Sequence, residues 1–212
     1  MKKLAPLVVF THLRINKLKK CILSIKGCYQ SKNTHLYIIS DGPVDQTQYL
    51  KVHKIRKYIK LIKGFKKISI ILRKKNFGLS KNITNGVSKI INKHGKIIVL
   101  EEDMIVRKDF INFMNLNLEK YENENKVWHV SGWNYNINIQ SNLDAYFIRT
   151  MNCWGWGTWK NCWIKYKKNP KKIIDTWSKK KIFKFNFDNN FNFFSEITRN
   201  HKKIINTWAI FW

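Results

Sequence analysis

The sequence predicts an α/β fold, a single domain in which helices flank a mostly parallel sheet. Three observations predict it. Short apolar runs alternate with stretches of helical periodicity through the first half of the chain, the pattern of β-α units around a parallel sheet. The runs that end at Ser40, Leu72 and Leu100 are followed by Asp41-Gly42-Pro43, by a loop at Asn76-Phe77-Gly78 and by Glu101-Glu102-Asp103, so polar groups collect at strand ends. The 212 residues, 44% of them hydrophobic, suffice for one sizeable core, and nothing in the composition marks a second domain.

The elements follow in order. Pro6 to Thr11 reads as the first strand; the charged tip before it lacks the apolar length and cleavage site of a signal peptide. Ile15, Leu18, Cys21, Ile22 and Ile25 then recur at helical spacing, and Gly27 ends that helix. Leu36 to Ser40 is the second strand, with Asp41 at its end. A helical stretch from Gln46 to Ile62 leads to Ile68–Leu72, whose β-branched residues favour a third strand. Ser80 is the expected N-cap of a helix that carries Ile83, Val87, Ile90 and Ile91 on one side. Lys96 to Leu100 is apolar on both faces and is therefore expected at the centre of the sheet. The second half changes character: aromatic residues crowd into Trp128–Trp163, and a Phe- and Asn-rich stretch follows from Phe183 to Phe194.

The net charge is +28. Its lysines come with abundant Asn, Ile, Phe and Tyr, residues of AT-rich codons, so a solvated basic surface is the first reading. Peripheral contact with an anionic membrane is the second and nucleic-acid binding the last. No apolar run approaches the ~20 residues needed to span a bilayer. Cys21, Cys28, Cys153 and Cys162 lack C-x-x-C spacing, which predicts reduced thiols. A cytoplasmic protein is expected, with the inner membrane surface as its second location.

In open parallel sheets ligands bind beyond the carboxyl ends of the strands, where loops and helix N-termini converge. Asp41, the Asn76 loop and Glu101 to Asp103 all fall there. Three consecutive acids leaving a buried strand repel one another, and a cation relieves that repulsion. Oxygen ligands in a partly open site suit Mg²⁺ or Mn²⁺, which bridge the oxygens of a diphosphate. On an extended chain Glu101 and Asp103 would share a direction while Glu102 faces away. Alone, an acidic triplet is as well explained by a solvated loop; its place after a central strand favours the site.

The segment Lys96-Ile-Ile-Val-Leu-Glu-Glu-Asp103-Met-Ile-Val-Arg-Lys-Asp109-Phe110 resembles the E-D-D segment of GT-A glycosyltransferases, which have a Rossmann-like fold. The nearest resemblance is to bacterial family-2-like sugar transferases and to the N-acetylglucosaminyltransferases that initiate complex N-glycan branching. Thr11-His12-Leu13-Arg14 and Ile38-Ile39-Ser40-Asp41-Gly42 resemble the first two nucleotide-binding strand ends of these enzymes. Trp128–Asn134, Tyr146–Thr150 and Cys153-Trp154-Gly155-Trp156-Gly157-Thr158-Trp159 resemble the segments after the acidic motif. The resemblance implies Asp103 as the direct ligand of Mn²⁺ or Mg²⁺, Glu101 and Glu102 near ribose and base, and Asp41 at the base. It places Arg14 and Lys81 near the nucleotide and the Gly155–Gly157 loop beside the donor sugar, with Trp156 in contact. The tryptophans at 154, 156, 159 and 163 otherwise read as core.

The final segment, Asn206 to Trp212, resembles a helix that in many relatives reads Trp-Asp and supplies the catalytic base. Here the aspartate's position is Ala209, and the chain stops within that helix, which suggests C-terminal truncation. Glu196, Asp188 and His201 are the candidate replacements, with Glu196 chosen. The implied reaction is transfer from a nucleotide sugar, expected to be a UDP-sugar, to a hydroxyl of a glycan or lipid-linked acceptor with inversion. The alternative is a non-catalytic nucleotide-sugar or glycan-binding module.

Overall fold

The computed structural model describes residues 3–135 and 145–212. These form two compact units, Met1–Asn134 with Asn152–Ile164, and Tyr135–Met151 with Lys165–Trp212.

The first unit is a mixed sheet with helices on its faces. Its strands are β1 (Leu7–Thr11), β2 (His35–Ser40), β3 (Lys67–Leu72), β4 (Lys96–Glu101), β5 (His129–Ser131) and β6 (Trp156–Trp159), in the spatial order β3-β2-β1-β4-β6-β5. The first four are parallel; β6 runs antiparallel to both β4 and β5. Every residue of β1 is buried, as are four of the six in β4, because these two strands lie at the middle of the sheet. Their unbroken apolar runs are the expected signature of strands covered on both faces.

Helices α1 (Ile15–Lys26) and α2 (Gln46–Ile59) connect strands laid down in one direction, and α3 (Leu79–His94) crosses back from β3 to β4. Right-handed crossovers then put α3 on the face opposite α1 and α2. Each presents an apolar stripe: Leu18, Cys21, Ile22 and Ile25 on α1, Val52, Ile55 and Ile59 on α2, and Ile83, Val87, Ile90 and Ile91 on α3. Gly86 lets α3 sit directly on the sheet, since a Cβ there would lie 2.6 Å from side-chain atoms of Phe10 and Ile39.

Two boundaries differ from expectation. The cap of α3 is Gly78 rather than Ser80, which is buried inside the first turn; Gly78 takes φ 70°, a conformation that glycine adopts without a Cβ clash. The second helix stops at Ile59, before the predicted Ile62.

The second half contributes β5, β6 and α4 (Phe110–Lys120), with a short α5 (Lys160–Trp163) after β6. Gly157 is the hinge of this packing. A Cβ on it would meet the Ile97 carbonyl oxygen at 2.9 Å, Met114 Cε at 3.1 Å and Leu118 Cδ1 at 3.2 Å, so its missing side chain makes room for β4 and for α4. Trp159 and Trp163 anchor the same region through indole N–H bonds to the Leu118 carbonyl (2.9 Å) and the Ser88 hydroxyl (2.8 Å).

The second unit carries α6 (Pro170–Thr176), α7 (Lys179–Phe185), α8 (Phe194–His201) and a 3₁₀ turn at Ala209–Phe211. Asn169 caps α6 by accepting from the Lys172 amide, with Pro170 opening the helix, and Ser178 caps α7 by accepting from the Lys181 amide. Residues 209–211 thus form a single tight turn where a helix was expected.

Gly157→Ala is expected to lower stability by about 1–3 kcal/mol through overpacking against backbone. Gly27→Ala, where the added Cβ meets nothing closer than 3.4 Å, should be near neutral; denaturant midpoints of the two variants make the comparison.

Candidate active site

The carboxyl ends of β1, β2, β3 and β4 converge on one edge, and hydrogen bonds lace their loops together. Glu102 is the central tie. It is 3% exposed, and both of its oxygens are engaged. Oε2 accepts from the Thr11 hydroxyl and from the His12 amide (3.0 Å), and Oε1 accepts from Arg14 Nε (2.8 Å). The end of β1 is thereby fastened to the turn after β4. Arg14 Nη1 also donates to Asp103 Oδ2 at 2.9 Å, so one guanidinium spans two carboxylates. The bond to Glu102, with burial opposing and the Asp103 charge assisting, raises the Arg14 pKa above its ordinary value.

The acidic triplet is not extended. A bond from the Met104 amide to the Glu101 carbonyl (3.1 Å) closes a turn over Glu101–Met104, so strand alternation does not apply. Glu102 turns into the protein and Asp103 outward, its side chain 37% exposed. Glu101, at the last position of β4, is desolvated and lies beside the Asp103 charge. Burial first, then Asp103, push its carboxyl up to about 7, with Arg14 opposing. Beneath the turn, burial and the neighbouring carboxylates push the Cys21 thiol up to about 12, which keeps it protonated and unreactive.

Asp41 is the second tie. It is 3% exposed; Oδ1 accepts from the Gly42 and Phe77 amides (2.9 Å each) and Oδ2 from the Gly78 amide (3.1 Å). This clamps the loop after β3 onto the end of β2. Gly42 is needed at the crossing, because a Cβ would fall 2.4 Å from the Lys75 carbonyl carbon. Asn76 Nδ2 donates to the Gly42 carbonyl (2.8 Å), and His12 Nε2 lies 3.0 Å from the same oxygen. Phe77, which sequence reasoning placed only within a loop, presents its ring to two cations: Arg73 Cζ lies 4.5 Å and Lys81 Nζ 5.2 Å from its centre. Lys81 is exposed in the first turn of α3.

The tryptophan loop divides differently from expectation. Trp156 is 1% exposed, packed 5.7 Å from the Trp163 ring, so its indole offers a ligand no open face. Gly155 and Gly157 lie against Phe110 and the α4 side chains, where they admit protein packing. Trp154 is instead 49% exposed and meets Trp133 edge to face at 4.5 Å. The register pairs Val99 with Trp156 at the start of β6, and Gly155 before it turns at φ 72°, so Trp154 lies outside the strand and leaves the core. Trp133 follows β5 at the same edge. No signal short of that register separated Trp154 from its buried neighbours.

The structure therefore brings Arg14, Glu101, Glu102 and Asp103 together at one edge of the first unit, with Asp41 at the end of β2 and Lys81 in the first turn of α3. Glu196 lies on α8 in the second unit. Among the described residues, no group of three or more His, Cys, Asp or Glu is arranged to hold a metal ion. Asp103 by itself fits the way Mg²⁺ and Mn²⁺ are held in phosphate-transfer sites, where one or two carboxylates combine with substrate phosphates and water.

An open α/β sheet with its polar groups gathered beyond the carboxyl ends of the parallel strands is a Rossmann-like arrangement, whose ligand crevice lies at those ends. The chain belongs to glycosyl transferase family 2, whose model matches residues 7–170. It has the GT-A fold. No curated protein matches it. Similar solved structures include S. aureus TarS 1–349 (TM-score 0.43, 12% identity, 56% of this chain and 33% of that one). Another is GalNAc-T7 with UDP, GalNAc and Mn²⁺ (TM-score 0.44, 20% identity, 55% of this chain and 21% of that one). The chain thus spans well under two thirds of either.

Glu101 gives the site a pH signature. Its folded pKa is raised, so the folded state holds the proton more tightly than the unfolded chain. The stability this confers is complete below the ordinary pKa of 4.5 and is lost as pH rises through about 7. Glu101→Gln is expected to abolish that decline: in chelator-containing buffer it should be more stable than the parent at pH 8 and no more stable at pH 4.5, as read by urea denaturation.

Proposed function

We propose that the chain transfers a sugar from a nucleotide donor, a UDP-sugar, to a hydroxyl of a glycan or lipid-linked acceptor, with inversion at the anomeric carbon. The observation that carries the reading is Asp103: an outward carboxylate at the end of a central strand, held in place by Arg14, among loops fixed by buried carboxylates. The E-E-D segment and the tryptophan loop support kinship with the branching N-acetylglucosaminyltransferases within the wider family.

This chain's own groups divide the work. Asp103 would hold Mn²⁺ or Mg²⁺ together with the donor's diphosphate, and the ion would stabilise the charge that develops on the departing nucleoside diphosphate. Arg14, bonded to Glu102 and Asp103, would bring its positive charge to that diphosphate, and Lys81 would add a second. Asp41 orders the β2 and β3 loops, which would present Phe77 to the base. Glu101, partly desolvated beside Asp103, would face the ribose, and Glu102 would fix Arg14. Trp154 and Trp133 offer an exposed aromatic surface for a sugar ring.

In the reaction the acceptor oxygen forms a bond to the anomeric carbon as the bond to the diphosphate oxygen breaks. The acceptor proton must go to a base. Among the described residues of the second unit, Asp175 is paired with Lys171 and Asp188 with Arg149 (2.8 Å each), which leaves Glu196 as the carboxylate outside an ion pair. We assign it that role in place of the base that Ala209 cannot supply.

Asp103→Asn is expected to weaken Mn²⁺-dependent binding of UDP by at least about tenfold, roughly 1.4 kcal/mol, without lowering Tm. Calorimetry with and without Mn²⁺ measures it. Unchanged binding in the variant would overturn the site. Glu196→Gln should keep UDP binding and lose donor turnover; binding without turnover in the parent itself would assign a nucleotide-sugar-binding module.

A further inference from the structure

The basic charge is distributed unevenly, and one face combines it with exposed leucines. Residues 12–75 contain seventeen Lys and Arg against two acids, Asp41 and Asp45. Helices α1 and α2 carry four basic residues each and no acid. Codon bias does not load every helix in this way. The sequence of α4, FINFMNLNLEK, has one base and one acid, with asparagine at most of its remaining polar positions.

Helical geometry separates inner from outer positions on both helices. On α2 the positions opposite the buried Val52, Ile55 and Ile59 are Leu50, Lys54, Lys57 and, just past the helix end, Leu61, a stripe at i, i+4, i+7 and i+11. On α1 the positions opposite Leu18, Cys21 and Ile25 include Lys20 and Leu23. The three leucines are 70–76% exposed, so this face is wet and apolar at once. The helices lie side by side: Lys19 of α1 reaches to 5.7 Å from the ring of Tyr58 on α2. The two stripes therefore form one surface.

We propose that this α1/α2 face docks the protein on the surface of a bilayer containing anionic lipid. Lysines at the rim attract anionic headgroups, and the leucines between them enter the boundary between headgroups and acyl chains. A nucleic-acid surface would explain the lysines and leave the leucines unexplained. The one arginine on these helices, Arg56, is not offered to a phosphate: it donates to the carbonyls of Asp41 (3.2 Å) and Arg73 (2.6 Å). The opposite face tests charge against pattern. There α3 presents Lys89 and Lys93 without an exposed leucine beside them.

Vesicle flotation with the full chain decides the matter. The parent is expected to float with vesicles of phosphatidylcholine plus phosphatidylglycerol and not with phosphatidylcholine alone. Lys54→Glu with Lys57→Glu should weaken partition by at least about thirtyfold, while Lys89→Glu with Lys93→Glu, the same change in net charge, should leave it within about threefold. Leu50→Ser with Leu61→Ser should weaken it at unchanged charge. All six positions are at the surface, and circular dichroism confirms that the variants fold. Equal losses from the two charge pairs would overturn the proposal in favour of undirected attraction. Binding to duplex DNA that depends on Lys54 and Lys57 but not on the leucines, with no flotation, would overturn it in favour of nucleic acid.

Discussion

The arrangement of the site depends on one buried carboxylate. Glu102 is enclosed at the junction of β1 and β4, and an ionised carboxylate in such a place is costly unless its oxygens are filled. Three donors fill them: the Thr11 hydroxyl, the His12 amide and the Arg14 guanidinium. A hydrogen bond to a charged group contributes about 1.5–3 kcal/mol net, and a charge left buried without one is costly. What the three bonds do in common is to fasten the end of β1 to the turn after β4. Removing Arg14 leaves the charge unpaired, and removing either of the other two leaves Oε2 short of a donor.

Asp41 applies the same logic one strand over. Its donors are all backbone amides, two of them from the loop after β3, so it fixes a chain segment rather than a side chain. Two enclosed carboxylates thus rigidify the loops, while Glu101 and Asp103 remain at the open edge. Acids that look alike along the chain are divided by burial into two that are enclosed, Asp41 and Glu102, and two that are not, Glu101 and Asp103. Preorganisation of this kind matters where charge develops during a reaction, because loops already fixed need not reorganise when it does.

Most of the fold was legible in the sequence. β1, β2 and β4 lie within a residue or so of their apolar runs, because a strand covered on both faces has to be apolar throughout; β3, a half-exposed edge strand, was legible from its β-branched residues. The gathering of Asp41, Asn76 and the acidic triplet at strand ends was legible for the same reason, as topology places those ends on one edge. The division of labour within the triplet was not. What distinguishes Glu102 from Asp103 is the pair of donors at the end of β1, the Thr11 hydroxyl and the His12 amide some ninety positions earlier, and the turn that closes from Met104 to Glu101. The cap of α3 was missed because serine is the commoner cap. Here the residue before Leu79 has to satisfy Asp41 through its amide and take a positive φ, and Gly78 can do both.

The tryptophan loop shows the other limit. Alternating tryptophan and glycine suits a backbone approached by ligand and equally suits a strand beneath a helix, and side-chain chemistry does not separate the two. Register does. β6 inserts antiparallel beside β4, so Gly157 lies against Ile97 and under α4, and Trp156 falls inside the core. Two residues earlier the chain reaches the open edge, where Trp154 meets Trp133. One insertion therefore completes the hydrophobic core at one end and supplies an exposed aromatic pair at the other. Gly155, at φ 72°, is where the chain changes from the exposed indole of Trp154 to the buried one of Trp156.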